Sequence, residues 1–220
     1  MELLYTDRRV IVCLKHAGVS SADEPGGMPE LLRGALGLGA DGCVRTVHRL
    51  DVPVGGVMVY ARSRAADAIL SRQAQDGTMR KAYFAVLEGS MPEPEGELRD
   101  WLVRDTRAHR TLIAPAPSKD AREAILRYRK LAEAGGRSLV RVELLTGRTH
   151  QIRAQFSARG CPLSGDRKYG AREEGPIGLW SCALRFSHPQ TQEPMAFFRL
   201  PPGELPWTLF PSEAYAPPEL

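Results

Sequence analysis

Val47-His48-Arg49-Leu50-Asp51 and, far downstream, Thr146-Gly147-Arg148-Thr149-His150-Gln151-Ile152-Arg153 are the stretches that decide how this chain is read. The first puts an arginine and a lone aspartate on one segment. The second puts another arginine on a different segment. A guanidinium a few ångströms from a carboxylate lowers the carboxylate pKa and holds it ionised. An ionised carboxylate in a pocket can act as a nucleophile without a metal or an organic cofactor. The pattern predicts covalent chemistry at Asp51, provided that the two segments meet in the fold.

Working outward, residues 9–15 read as a short branched strand ended by the His16-Ala17-Gly18 turn. Residues 20–27 form a loop, and Pro29 suits the first turn of a short helix that runs to Leu36 and stops at Gly37. Strands are expected over 44–50 and 56–61, on either side of the Asp51-Val52-Pro53 turn. Residues 64–76 carry Ala65, Ala68, Ile69 and Arg72 at helical spacing, with Gly77 as the stop. A strand over 81–87 follows. Prolines make 91–97 and 114–118 surface loops. Residues 121–134 fit a helix or an alternating strand equally well. Residues 138–145 alternate as a half-buried strand does. Thr149 is the expected cap of a helix running to Arg159 and closed by Gly160. A last strand over 195–200 precedes a proline-rich tail expected on the surface.

This order of elements, without internal repeats or a dividing linker, predicts a single α+β domain over residues 1–220. Its 43% hydrophobic and 25% charged residues allow a sizeable core. The net charge of +4 permits a polyanionic partner without requiring one. The four cysteines, Cys13, Cys43, Cys161 and Cys182, are far apart, and no Cys/His group has zinc-ligand spacing, so no metal is expected. The N-terminus lacks the features of a signal peptide, and no segment approaches the roughly 20 apolar residues of a membrane span. The expected setting is the cytoplasm, with reduced thiols and no membrane partner.

Either motif alone is weak, since each also describes a solvated strand end or a capped surface helix. Together, with Lys81-Ala82-Tyr83 between them and Gly165-Asp166-Arg167-Lys168-Tyr169-Gly170 after them, they carry a resemblance. The chain resembles the RluA-like RNA pseudouridine synthases from about residue 3 to about residue 200. The likeness runs from the first strand with Lys15 through these motifs to the closing Leu179–Pro189 segment. It implies a mixed, largely antiparallel bent sheet with flanking helices and loops. It also implies isomerisation of uridine to pseudouridine in structured RNA, ribosomal or transfer, by a monomer that needs no cofactor and does not act on DNA. Asp51 would be the nucleophile, Arg153 its ion-pair partner and Tyr83 the platform for the target uracil. Arg49 would enter the RNA where the base has left. Lys81, Arg148, Thr149, His150, Gln151 and Ile152 would line the substrate. The chemistry agrees: detaching, turning and rejoining a base requires a flipped nucleotide and an aromatic surface to stack it.

The chain departs from the family pattern in two places. Val54-Gly55-Gly56 stands where Thr-Ser-Gly is usual two residues after the HRLD segment, so the turn must find its polar support in backbone or water. His16 replaces the usual proline after Lys15. The N-terminal RNA-binding domain of many relatives is not expected, which leaves substrate selection to the catalytic domain, with loops 91–97 and 114–120 as candidates. Read from residue type alone, His48 and His150 are structural hydrogen-bonding histidines. Tyr169 and Trp180 are wall residues, Arg167 and Lys168 are phosphate contacts or solvated charges, and Asp166 fixes a turn. A catalytically silent RNA-binding protein or RNA chaperone of the same fold is the alternative function.

Overall fold

The computed structural model describes residues 2–218. Its chain divides into two compact units: residues 2–81 with 181–199, and residues 82–180 with 200–218.

In the first unit, β1 (Glu2–Thr6), β2 (Val10–Lys15), β4 (Gly55–Ala61) and β10 (Leu179–Ser187) lie side by side in that order. The short β3 (Arg45–Thr46) pairs with β4, and β11 (Pro194–Phe198) pairs with β10. Helix α1 spans Met28–Ala35, with proline in its first turn as expected. Helix α2 spans Arg64–Asp76. Ser63 Oγ accepts the Ala66 N–H at 3.1 Å to cap it, and Gly77 ends it in the left-handed region at φ 81°. Ala66 and Leu70 pack onto Val57 and Val59 of β4, Val10 and Val12 of β2, and Leu184 and Phe186 of β10. This apolar cluster packs β2 and β4 beneath α2.

The second unit orders its strands β5 (Arg80–Glu88, which begins in the first unit), β9 (Arg137–Leu144), β8 (Arg122–Ala134), β6 (Glu95–Asp105) and β7 (Arg110–Ala114). The pairs β5–β9, β9–β8, β8–β6 and β6–β7 are antiparallel. Helix α3 (Gln151–Ser157) covers one face, with Phe156 edge-on to Tyr128 at 5.7 Å and Ala154 against Leu102, Ala124 and Tyr169.

Three expectations need correction, and one open reading resolves. The strand expected over 44–50 is only Arg45–Thr46, because side chains beyond it take over the role of the ladder: Ser21 Oγ bonds both backbone groups of Leu50, and His48 Nε2 accepts the Val59 N–H. The 91–97 loop already enters β6 at Glu95, where β8 supplies a partner. Residues 122–134 are a strand, burying Ala124, Leu126 and Tyr128. The C-terminal tail is not confined to the surface: Trp207, Phe210 and Tyr215 are buried, and Tyr215 packs edge-on to Phe84 at 5.2 Å.

Removing the α2 cap with Ser63→Ala should cost about 1 kcal/mol, whereas Ser63→Gly should cost only a few tenths. Urea denaturation of the three proteins measures both; equal stability of wild type and Ser63→Ala would show that the cap contributes nothing.

Candidate active site

Asp51 lies in the turn between β3 and β4, partly exposed, and both of its neighbours are pinned by buried groups. On one side the Ser21 hydroxyl donates to the Leu50 carbonyl at 2.9 Å and accepts the Leu50 N–H at 3.1 Å. On the other, the Val52 carbonyl accepts Lys15 Nζ at 3.1 Å and the Gly18 N–H at 2.8 Å. The Val54 N–H closes the turn on the Asp51 carbonyl at 2.9 Å. The support missing with the Thr-Ser hydroxyls is therefore supplied by backbone. Gly56 is required here: at φ 130°, a Cβ would stand 2.3 Å from the Ser181 carbonyl oxygen.

Lys15 ends β2 with no exposed surface. Its ammonium donates to three carbonyls, those of His16 (3.0 Å), Val19 (2.6 Å) and Val52 (3.1 Å), one for each proton. Burial pulls its pKa down to about 8, against which the Asp51 carboxylate acts to raise it. His48 serves the scaffold through Val59; burial first and the Lys81 charge second push its imidazole down to about 3, so it is neutral. Lys81 is itself lowered by burial. Arg49 is exposed.

In the second unit, Arg153 of α3 is 6% exposed and Asp166 3%. They form a two-pronged pair: Arg153 Nε donates to Asp166 Oδ2 at 2.7 Å and Nη2 to Oδ1 at 2.8 Å. The guanidinium carbon sits 4.9 Å from the centre of the Tyr169 ring. Asp166 and Tyr169 come from one tight turn, in which Gly165 is forced: at φ 74°, a Cβ would lie 2.4 Å from the Pro176 carbonyl oxygen. One turn thus holds Arg153 by its edge and by its face. Asp166 does more than fix a turn, and Tyr169 is more than a wall. The spacing of the Gly165–Gly170 motif marked the region, but the Arg153 contact needs tertiary structure.

The Tyr169 hydroxyl is held in turn. It accepts the Thr111 N–H at 2.7 Å and lies 2.8 Å from His150 Nδ1. His150, not Thr149, occupies the N-cap position, at φ 53° and without a side-chain cap. A non-glycine residue adopts this left-handed conformation only when its surroundings impose it; here Tyr169 and the loop do so. Gln151 braces that loop, its Oε1 accepting the Thr146 hydroxyl and the Arg148 N–H while Nε2 donates to the Ile125 carbonyl. Ile152 is buried, Arg148 Nε donates to the Glu123 carbonyl, and the Thr149 carbonyl accepts the Thr111 hydroxyl. Tyr83 lies on β5 opposite Val142 and is 5% exposed. Among the described residues no group of three or more His, Cys, Asp or Glu could hold a metal, and no helix is long and apolar enough to cross a membrane.

Residues 9–158 match the RNA pseudouridylate synthase family, and the chain belongs to it, as an RluA-like member with the α+β fold of these proteins. It is 33% identical over 202 residues to the uncharacterized RNA pseudouridine synthase YhcT of Bacillus subtilis, covering 88% of this chain and 66% of that protein. It is 29% identical over 209 residues to the dual-specificity RNA pseudouridine synthase RluA of Haemophilus influenzae, covering 90% and 91%. The solved structure of human RNA pseudouridylate synthase domain containing 1 superposes with a TM-score of 0.78 at 26% identity, over 93% of this chain and 84% of that one. The chain thus spans about two thirds of YhcT and nearly all of RluA.

Lys15→Met leaves the His16 and Val19 carbonyls without the ammonium, while Val52 keeps the Gly18 N–H, and should destabilise the protein by about 1–3 kcal/mol per group that water cannot reach. Because the folded pKa lies below the ordinary lysine value of 10.5, the unfolded chain binds the proton more tightly between about pH 8 and 10.5. Stability of the wild type relative to Lys15→Met should therefore rise across that window. Urea titrations at several pH values test this; a flat difference would place the Lys15 pKa elsewhere.

Proposed function

We propose that this chain isomerises uridine to pseudouridine in structured RNA, ribosomal or transfer, in the cytoplasm. The observation that carries the reading is the mounting of Asp51: a partly exposed carboxylate whose two chain neighbours are each hydrogen-bonded to a buried side chain, Ser21 or Lys15. A nucleophile gains from such fixation because a reacting atom held in place needs little further ordering. Family membership supplies the substrate class.

The chemistry is a balanced rearrangement. The bond from N1 of uracil to C1′ of ribose breaks, with Asp51 acting at the sugar. The base turns, C5 joins C1′ and displaces Asp51, the C5 proton leaves, and N1 takes up a proton, so substrate and product have the same atoms. Tyr83 gives the detached base a flat surface, and its hydroxyl can take part in moving that proton. Arg49, exposed beside Asp51, suits the space left by the flipped nucleotide, since a guanidinium stacks and also donates to phosphate. Arg153 is the cation that the resemblance assigns to the site, in an orientation set by Asp166 and Tyr169. No step calls for a metal or an organic cofactor.

Asp51→Asn should abolish tritium release from uridine-labelled RNA while RNA binding stays close to wild type, because the amide keeps the shape and loses the nucleophile. Tyr83→Phe should keep affinity and lose much of the turnover. Substantial release by Asp51→Asn would exclude Asp51 as nucleophile. Arg153→Lys keeps the charge but not the fork, so it should lower kcat far more than it raises KM. A change confined to KM would make Arg153 a binding residue only.

A further inference from the structure

Several surface cations of the second unit have carboxylate partners. Arg99 pairs with Glu97 and Glu123, Arg127 with Glu97, Arg129 with Glu95 and Lys130 with Glu133. Arg137 pairs with Glu173 and Arg159 with Asp100. Surface charges so interleaved present little net field to a polyanion. The end of the β6–β7 hairpin is different. Arg104, Arg107, Arg110 and Lys168 gather there, and none of the four has a carboxylate partner among the described residues.

Their placement is specific. Lys168 Nζ, from the turn that clamps Arg153, donates to the His109 carbonyl at 2.9 Å, so turn and hairpin end touch. Arg104 is exposed and lies opposite Thr111 across the hairpin. Arg107 is exposed in the connecting loop. The carboxylate of that loop, Asp105, accepts the backbone N–H groups of Arg107 and Ala108. The Arg110 guanidinium stands 5.7 Å from the Tyr169 ring centre, the same ring that Arg153 approaches at 4.9 Å. Asp166 offsets the Arg153 charge; Arg110 has no such offset, and its Nε is buried without a hydrogen-bond partner. Four like charges outnumber the one Asp105 carboxylate there and repel one another, and an anion relieves that repulsion.

We infer that the β6–β7 hairpin end and the 166–170 turn form a docking surface for the phosphate backbone of the RNA substrate, with Arg104, Arg107, Arg110 and Lys168 as the phosphate contacts. The inference rests on the reading of the substrate as RNA and adds where the RNA is gripped. It moves the substrate-holding surface from the 91–97 and 114–120 loops to this hairpin. A phosphate on Arg110 would sit near the Tyr169 ring that Arg153 also approaches, so the strand held here would run beside the group assigned to the chemistry.

The test is the salt dependence of RNA binding. Arg104→Gln/Arg107→Gln/Lys168→Gln leaves Arg110 and the Tyr169 contacts in place. For an RNA that the wild type modifies, each lost phosphate contact should lower the slope of log affinity against log salt by about 0.7–0.9, roughly 2–3 for the triple variant, with affinity down about tenfold or more. The value of kcat at saturating RNA should stay within about twofold of wild type, because phosphate contacts position the substrate and do not react. Arg127→Gln/Arg129→Gln, on the paired face, should leave the slope unchanged. Arg107→Gln, in an exposed loop, keeps the test open should the triple variant fold poorly; alone it should lower the slope by about 0.7–0.9. Wild-type slope and affinity in the triple variant or in Arg107→Gln would overturn the docking surface while turnover upholds the RNA reading. A wild type that binds and modifies no RNA would overturn both.

Discussion

The site in the first unit depends on one ammonium placed where water does not reach it. Lys15 has no exposed surface, and taking a charge out of water is costly unless every proton on it finds an acceptor. The carbonyls of His16, Val19 and Val52 provide three acceptors for three protons, and the Asp51 charge acts in the same favourable direction. Because these carbonyls belong to the end of β2, the following loop and the residue after Asp51, satisfying the charge also fixes the geometry. The loop cannot shift without exposing an unpaired carbonyl or an unpaired proton. β2 cannot shift either, since Val10 and Val12 lie in the cluster beneath α2. The polar constraint positions the carboxylate, and the apolar one keeps the frame from yielding.

The second unit solves the corresponding problem for a guanidinium by a different route. Arg153 is planar, so fixing it requires control of its edge and its face, and the Asp166–Tyr169 turn provides both. The turn is anchored to β7 through the Thr111 N–H and to the N-cap of α3 through His150. Arginine rather than lysine is needed for this arrangement, because an ammonium has neither a fork nor a flat face. A buried pair of this kind is weak evidence for stability, since its desolvation cost can equal its attraction. Its value here is orientation.

Much of this was legible in the sequence, and what was not has a common cause. The bounds of helix α2 could be read from helical spacing and the Gly77 stop, but its buried face could not: Ala65, Ala68, Ile69 and Arg72 are exposed, and Ala66, Leu70 and Gln73 are buried instead. The Asp51 and Arg153 motifs stood out because they are contiguous. The strand expected over 44–50 failed after Thr46 because a serine more than twenty positions away takes the backbone groups of Leu50. Thr149 looked like the better cap by type, yet the loop puts His150 there in a left-handed conformation held by Tyr169, which local preference cannot anticipate. Asp166 read as a turn residue since its carboxylate meets Arg153 only in three dimensions. The ambiguity of 121–134 was real: its alternation becomes decisive only when β6 and β9 flank it.

The Val54-Gly55-Gly56 departure shows which part of a motif carries its physics. Two hydroxyl positions of the family pattern are absent here, and the turn nevertheless closes by a backbone bond from Val54 to Asp51, with the next residue's carbonyl held by Lys15 and Gly18. The glycine is different, because the close approach of Ser181 leaves no room for a Cβ at Gly56 and the positive φ disfavours one as well. Hydrogen-bond support can be transferred from side chain to backbone, since any donor at the right place will serve. A steric requirement has no substitute. Positions that act by supplying a polar group should therefore vary more readily around Asp51 than positions that act by lacking a side chain, and this chain varies at the first kind while retaining the second.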